Sequence, residues 1–183
     1  MLDETDLHRN TQTLLKAWRR MQDPAPFDTL PEKTQDHPDL LQRLFVIEQD
    51  DTANWQFCNA GRAIEGLLGR TLADHDFLGL WRGHDRYLVR AQLASILEAR
   101  YPGHLLSRGE TLTGQRIDLE LTLAPLPGKA SGSHKVRLLG LYQPLGMRAQ
   151  LMGRPVWRHR LTAIFPPDTS RHISHLKLVA NND

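Results

Sequence analysis

Nine histidines and a single cysteine in a chain of 183 residues set the chemistry open to it. Cys58 stands alone, so one chain can assemble neither an intramolecular disulfide nor a thiolate-based zinc or iron–sulfur site. The best-spaced histidines are His172 and His175, with His159 upstream. Zinc needs three or four converging ligands held by supporting contacts, and no His-Glu-x-x-His or cysteine pair accompanies these residues, so no metal site is expected. Asp74-His75-Asp76 sets an imidazole between carboxylates, as a general base requires, but no serine occupies a Gly-x-Ser-x-Gly turn. A hydrolase built on Asp74 and His75 is therefore a distant alternative to a non-enzymatic role. Glycine-rich phosphate loops are missing in both common forms. Arg82, Arg86 and Arg90 recur every four residues and form one stripe, either a grip for an anion or a solvated helical face.

The elements that must position these residues follow from periodicity. Leu7, Thr11, Leu14, Trp18 and Met21 share one stripe of an amphipathic helix over Thr5 to Met21. Pro24 and Pro26 end it and open a proline-rich linker. Leu44 to Ile47 and the alternating Trp55 to Asn59 flank turn residues and read as a hairpin. Short helical pieces follow at Ala63 to Leu68 and Phe77 to Trp81, then a longer helix from Asp85 to Arg100, stopped by Pro102-Gly103. His104 to Pro125 breaks at Thr113-Gly114-Gln115 into two strands, and in the second Ile117, Leu119, Leu121 and Leu123 alternate with Asp118, Glu120 and Thr122, which predicts one face in the core and one in water. A last strand runs through Lys135 to Tyr142. The prediction is an α+β domain with a five-stranded antiparallel sheet and its helices on one side.

The order of these elements, together with Arg43-Leu44-Phe45-Val46-Ile47-Glu48, Phe57-Cys58-Asn59-Ala60-Gly61 and Leu68-Gly69-Arg70-Thr71-Leu72, resembles the PAS fold. It is similar in particular to a family of stand-alone PAS proteins of alphaproteobacteria, first catalogued as a domain of unknown function. Trp18, Gly140-Leu141-Tyr142-Gln143-Pro144-Leu145, Gly153-Arg154-Pro155-Val156 and Leu176-Lys177-Leu178-Val179 extend the resemblance over nearly the whole chain. It implies a bacterial signalling module without an attached catalytic domain. Flavin-binding light sensors of this fold carry cysteine after asparagine on a helix, whereas Cys58 precedes Asn59 on a predicted strand. Haem-binding members take a histidine from the long helix, and the only candidate here, His84, falls at its very start. Neither chromophore, nor any other cofactor, is expected.

On this reading the chain divides into a helix over 1–22, a linker over 23–43, a PAS core over 44–145 and a basic extension over 146–183. Six basic residues against Asp168 put Arg148 to Lys177 at +5, leaving −3 elsewhere out of a net charge of +2. Asymmetry of this kind suits contact with an acidic partner, with Arg158 and Arg160 as candidate contacts, or a solvated extension. The residues expected to line a ligand pocket are Phe57, Leu68, Trp81, Leu93, Leu97, Leu119 and Leu121, which could equally be close-packed core. Leu7, Leu14, Trp18 and Met21 are the expected homodimer interface. The expected function is a signalling adaptor or regulator working through an unknown protein partner, with a sensor for a small apolar metabolite as the alternative. Nucleic acid is not an expected partner. No apolar run approaches the ~20 residues that span a bilayer, and the polar N-terminus lacks a leader pattern, so the expectation is a soluble cytoplasmic protein.

Overall fold

Residues 4–22, 38–127 and 135–167 are described by the computed structural model. Strand β1 (Leu44–Gln49) and strand β2 (Trp55–Ala60) form the expected hairpin. Its turn is tied by the Asp50 carboxylate, which accepts from the backbone N–H of Thr52 at 2.9 Å and of Asn54 at 2.8 Å. The long helix α4 (Gly83–Ala99) leads into β3 (Gly103–Glu110), β4 (Arg116–Pro125) and β5 (Arg137–Pro144). Between hairpin and long helix lie α3 (Arg62–Leu68) and a 3-10 turn at Phe77–Leu80, whose first turn is capped by Asp76 accepting from the Leu78 N–H at 2.9 Å. Helix α1 spans Arg9–Gln22 and the four-residue α2 spans Pro38–Leu41, the latter inside the stretch read as linker; residues 23–37 lie outside the described residues.

The sheet departs from the sequence expectation in strand number. It has six strands in the order β2-β1-β5-β4-β3-β6, every neighbouring pair antiparallel. The sixth, β6 (Arg158–Phe165), comes from the segment read as a basic extension and pairs with β3. Buried His159 and the apolar Leu161 and Ile164 face the core while Arg158 and Arg160 face out, and the arginines masked the alternation. A bulge between Leu106 and Ser107 in the β3 register shifts the pattern along the strand and hides it further.

Helix placement also differs. Helices α3 and α4 and the 3-10 turn pack on one face, but α1 covers the other. Leu14 joins Leu40 and Leu141 in a second apolar cluster flanked by Leu44 and Leu139. The Trp18 indole donates to the Pro125 carbonyl at 2.7 Å and meets the Tyr101 ring edge-on at 5.5 Å. The face of β4 predicted to be wet is therefore covered, with Glu120 and Thr122 buried. Glu120 is satisfied by the helix and the residue just before it, accepting from the Thr11 hydroxyl and, at 3.2 Å, from the His8 N–H. Asn10 donates to the Gln143 side chain at 2.9 Å beside it.

Leu7, Leu14 and Trp18 are thus buried within one chain, and of the expected dimer stripe only Met21 stays open, at 46% exposure. An apolar stripe has to be covered, and this one is covered by its own sheet. Self-association through it would require the helix to leave that sheet.

The two arginines expected to contact a partner occupy unequal positions on β6. Arg158 stands opposite Glu110 in register and pairs with it at 2.7 Å, while Arg116 reaches the same carboxylate at 3.2 Å. Arg160 stands opposite Arg108, whose own partner is Asp118 at 2.9 Å. Burial pushes the Glu110 carboxyl up, but the Arg158 hydrogen bond and the charges of Arg158, Arg116 and Arg160 outweigh it and hold it below the usual range. Arg158→Glu is expected to lower stability by about 1–3 kcal/mol, because it leaves buried Glu110 facing a like charge. Arg160→Glu, at an exposed site, should change it by less than about 0.5 kcal/mol. Urea denaturation of the two single variants measures the difference; equal midpoints would contradict the strand assignment of Arg158.

Candidate functional site

The inner face of the sheet, where a ligand would sit, is built from alternate residues of every strand. Phe45 and Ile47 come from β1, Trp55 and Phe57 from β2, Leu138 and Tyr142 from β5, and Ile117 to Leu123 in steps of two from β4. All seven residues expected to line a pocket meet here. Phe57, Leu68, Trp81, Leu93, Leu119 and Leu121 are buried in one cluster, and Leu97 is half-buried against it. They are joined by aromatic residues the sequence reading did not single out. Phe45 lies 5.5 Å from Phe57 and 5.6 Å from Phe77; Phe77 lies 5.4 Å from Phe57 and 5.2 Å from Trp81; Trp81 lies 5.3 Å from the His159 ring. This continuous chain of ring contacts crosses from the β1–β2 hairpin to β6. Gly140 is what admits it, since a Cβ there would stand 2.1 Å from the Phe45 ring.

At the β6 end the apolar packing gives way to a small polar group. The Tyr142 hydroxyl and His159 Nε2 are 2.5 Å apart, and the Trp81 indole donates to the Ser107 hydroxyl at 3.4 Å. His159 Nδ1 is buried with no partner of hydrogen-bonding geometry among the described residues. Burial drives the imidazole down to about 4, with the Leu80 backbone opposing the shift and Arg70 adding to it; burial also raises the Tyr142 phenol well above its ordinary value. Both groups are neutral at pH 7. They can exchange hydrogen bonds, with each other or with a small polar molecule, but a base this weak is poorly matched to proton abstraction near neutrality. The signal for Tyr142 was its alternation with Leu138 and Gly140. His159 was obscured because its strand was read as a tail.

The remaining motifs are scattered. His75 is exposed and its Nδ1 sits 3.0 Å from the Ala73 carbonyl, while Asp76 caps the 3-10 turn and pairs with Arg86 at 2.8 Å. The sequence neighbours Asp74, His75 and Asp76 therefore face different tasks. Of the arginine stripe, Arg86 is spent on Asp76, Arg82 lies over the Trp157 ring at 5.3 Å and Arg90 is exposed. Cys58 is exposed on β2, and burial of its thiol together with Glu48 raises its pKa. His84 is exposed at the start of α4. Among the described residues no group of three or more His, Cys, Asp or Glu could hold a metal ion, and none of their helices is long and apolar enough to cross a membrane. His172 and His175 lie outside the described residues.

A pH dependence follows from His159 and from His104, on the outward face of β3, which burial also lowers to about 4. As pH falls from about 6.5, the unfolded chain protonates at both positions while the folded chain does not, so stability is lost progressively down to about pH 4. Paired carboxylates such as Glu48 and Glu110, held below their usual range, add to this loss only from about pH 5 downward, where the unfolded chain begins to protonate them. Urea midpoints measured from pH 7 to pH 4.5 should fall, and fall less steeply in His159→Gln. A flat profile in the wild type would contradict neutral burial of the two rings.

The PAS domain family matches residues 7–143. No curated protein matches the chain. Among solved structures, the LOV protein of Rhodobacter sphaeroides is 18% identical, with a TM-score of 0.45, over 59% of this chain and 61% of that one. A light-oxygen-voltage domain studied with a flavin analogue is 16% identical, with a TM-score of 0.44, over 61% of this chain and 83% of that one. An RNA-binding light-oxygen-voltage receptor is 18% identical, with a TM-score of 0.42, over 67% of this chain and 38% of that one. The chain spans less than two thirds of the Rhodobacter sphaeroides protein. By the match over residues 7–143, the chain belongs to the PAS domain family.

Proposed function

We propose that this PAS domain is a non-catalytic signalling adaptor or regulator of the bacterial cytoplasm that acts through contacts with another protein. Membership of the PAS family supports a signalling or sensory role. The observation that carries the adaptor reading is the ring chain Phe45, Phe57, Phe77, Trp81 and His159, whose successive contacts of 5.2–5.6 Å pack the protein's own side chains against one another across the inner face. A domain packed in this way has its surface left for signalling.

A second reading, a sensor that binds a metabolite inside the domain, draws on one specific feature. The buried Nδ1 of His159 beside Tyr142 makes no hydrogen bond of good geometry among the described residues, the Leu80 backbone being near enough only to oppose the shift of the ring, and is a polar position that a small ligand or a water could satisfy. Neither reading calls for a chromophore. Cys58 is exposed on a strand and His84 is exposed at the tip of α4, positions unsuited to a flavin thiol or an axial haem ligand.

Protein purified from its native host should show no absorption band at visible wavelengths, and mass spectrometry after denaturation should find no stoichiometric small molecule. A flavin or Soret band would overturn the cofactor-free reading. A released metabolite whose binding is lost in His159→Ala would replace the adaptor with the sensor.

A further inference from the structure

We propose that a groove beside α3 is the docking site for an acidic, amphipathic segment of a partner protein. The inference rests on the reading of the domain as acting through protein contacts, and names the surface by which it would do so. The groove has a volume of about 280 Å³ and is walled by three pieces of chain: the end of α3 with Leu68 and Arg70, the β3–β4 turn with Leu112, and the connection into β6 with Arg154 to Trp157.

The walls are fixed by the backbone. Gly69 ends α3 at φ +65°, and a Cβ there would come within 2.7 Å of Pro155, so only glycine lets the two segments meet. The Val156 N–H donates to the Leu67 carbonyl at 2.9 Å and the Trp157 N–H donates to the Glu110 carbonyl at 2.8 Å, which stitches the connection to α3 on one side and β3 on the other. Across the groove, the Thr111 and Thr113 hydroxyls both donate to the Gln115 side-chain oxygen at 2.5 Å and hold the turn. The site is therefore ordered before anything binds, which lowers the entropic cost of association.

Its chemistry is apolar inside and cationic at the rim. Leu112 is 77% exposed and Trp157 52% exposed, large apolar surfaces left in water on opposite sides of the opening. Arg82 lies 5.3 Å above the Trp157 ring and orders it. Arg70, Arg82 and Arg154 make no ion pair among the described residues, whereas Arg43, Arg86, Arg108 and Arg158 each hold a carboxylate. Among the described residues no acidic side chain lines the groove. Uncompensated arginines around an open apolar trough fit a segment that brings leucine or aromatic side chains for the trough and aspartate or glutamate for the rim. A nucleic acid would engage the arginines but leave the exposed Leu112 and Pro155 without an apolar partner.

Random twelve-residue peptides displayed on phage, selected on the full-length chain, provide the test. Enriched peptides are expected to combine acidic with large apolar residues. A selected peptide, made synthetically, should shift the indole N–H signal of Trp157 while those of the buried Trp18, Trp55 and Trp81 stay in place. Its affinity should fall about tenfold in the Arg70→Glu, Arg154→Glu double variant. Leu112→Ser, at an exposed turn, should weaken it as well and serves as a control independent of charge. Peptides without acidic residues, equal affinity for the variants, or an oligonucleotide that shifts Trp157 where the peptide does not would overturn the proposal. Binding that leaves Trp157 unmoved would also overturn it while sparing contact-based signalling. A metabolite found inside the domain would count against contact-based signalling without touching the groove.

Discussion

The packing of Phe77 between the sheet and the helical layer holds the domain together. It touches Phe45 of β1, Phe57 of β2 and Trp81, and Trp81 passes the contact on to His159 of β6. Rings at these separations contribute about 0.5–1.5 kcal/mol per pair beyond the area they bury. Four such contacts link both edges of the sheet to the 3-10 turn, so the short helical pieces, too brief to be stable alone, acquire their order from the rings they carry. The turn's Asp76 cap and its pairing with Arg86 then attach α4 to the same unit.

The outer face depends on a different balance. Glu120 is a carboxylate on a buried surface, a costly placement unless it is hydrogen-bonded. Thr11 of α1 and the backbone of His8, the residue just before the helix, supply those bonds. The helix therefore does more than cover Leu141 and Leu139: its removal would expose an apolar face and strip the partners from Glu120. This explains why the amphipathic stripe of Leu14 and Trp18 lies on the domain's own sheet.

Periodicity made the inner layer legible. The alternation of Ile117, Leu119, Leu121 and Leu123, the Leu44 to Asn59 hairpin and the helix from Asp85 to Arg100 correspond to observed elements within a few residues. Strand β6 was illegible because Arg158 and Arg160 occupy its outward positions and a bulge interrupts its register. The second buried face of β4 was hidden for a related reason: Asp118, Glu120 and Thr122 are polar, and only the tertiary contact with α1 takes Glu120 and Thr122 out of water. Polar residues buried by hydrogen bonds leave no trace in an apolar pattern. The groove was missed because Leu68, Leu112 and Trp157 are far apart in sequence and lie at the end of α3 and in connections between strands, whose meeting is set by Gly69 and two backbone hydrogen bonds rather than by any local spacing.

On the proposed reading the interior is a packed structural core and signalling belongs to the surface. Thermal unfolding of the wild-type chain in water and in benzene-saturated buffer tests this directly, since any molecule that binds the folded state raises its melting temperature by mass action. A core filled by Phe45, Phe57, Phe77 and Trp81 leaves benzene no room, and the melting temperature should not rise. A rise that grows with benzene concentration and disappears when Leu121 is enlarged to Phe would show an open cavity between sheet and helices, and would contradict the account.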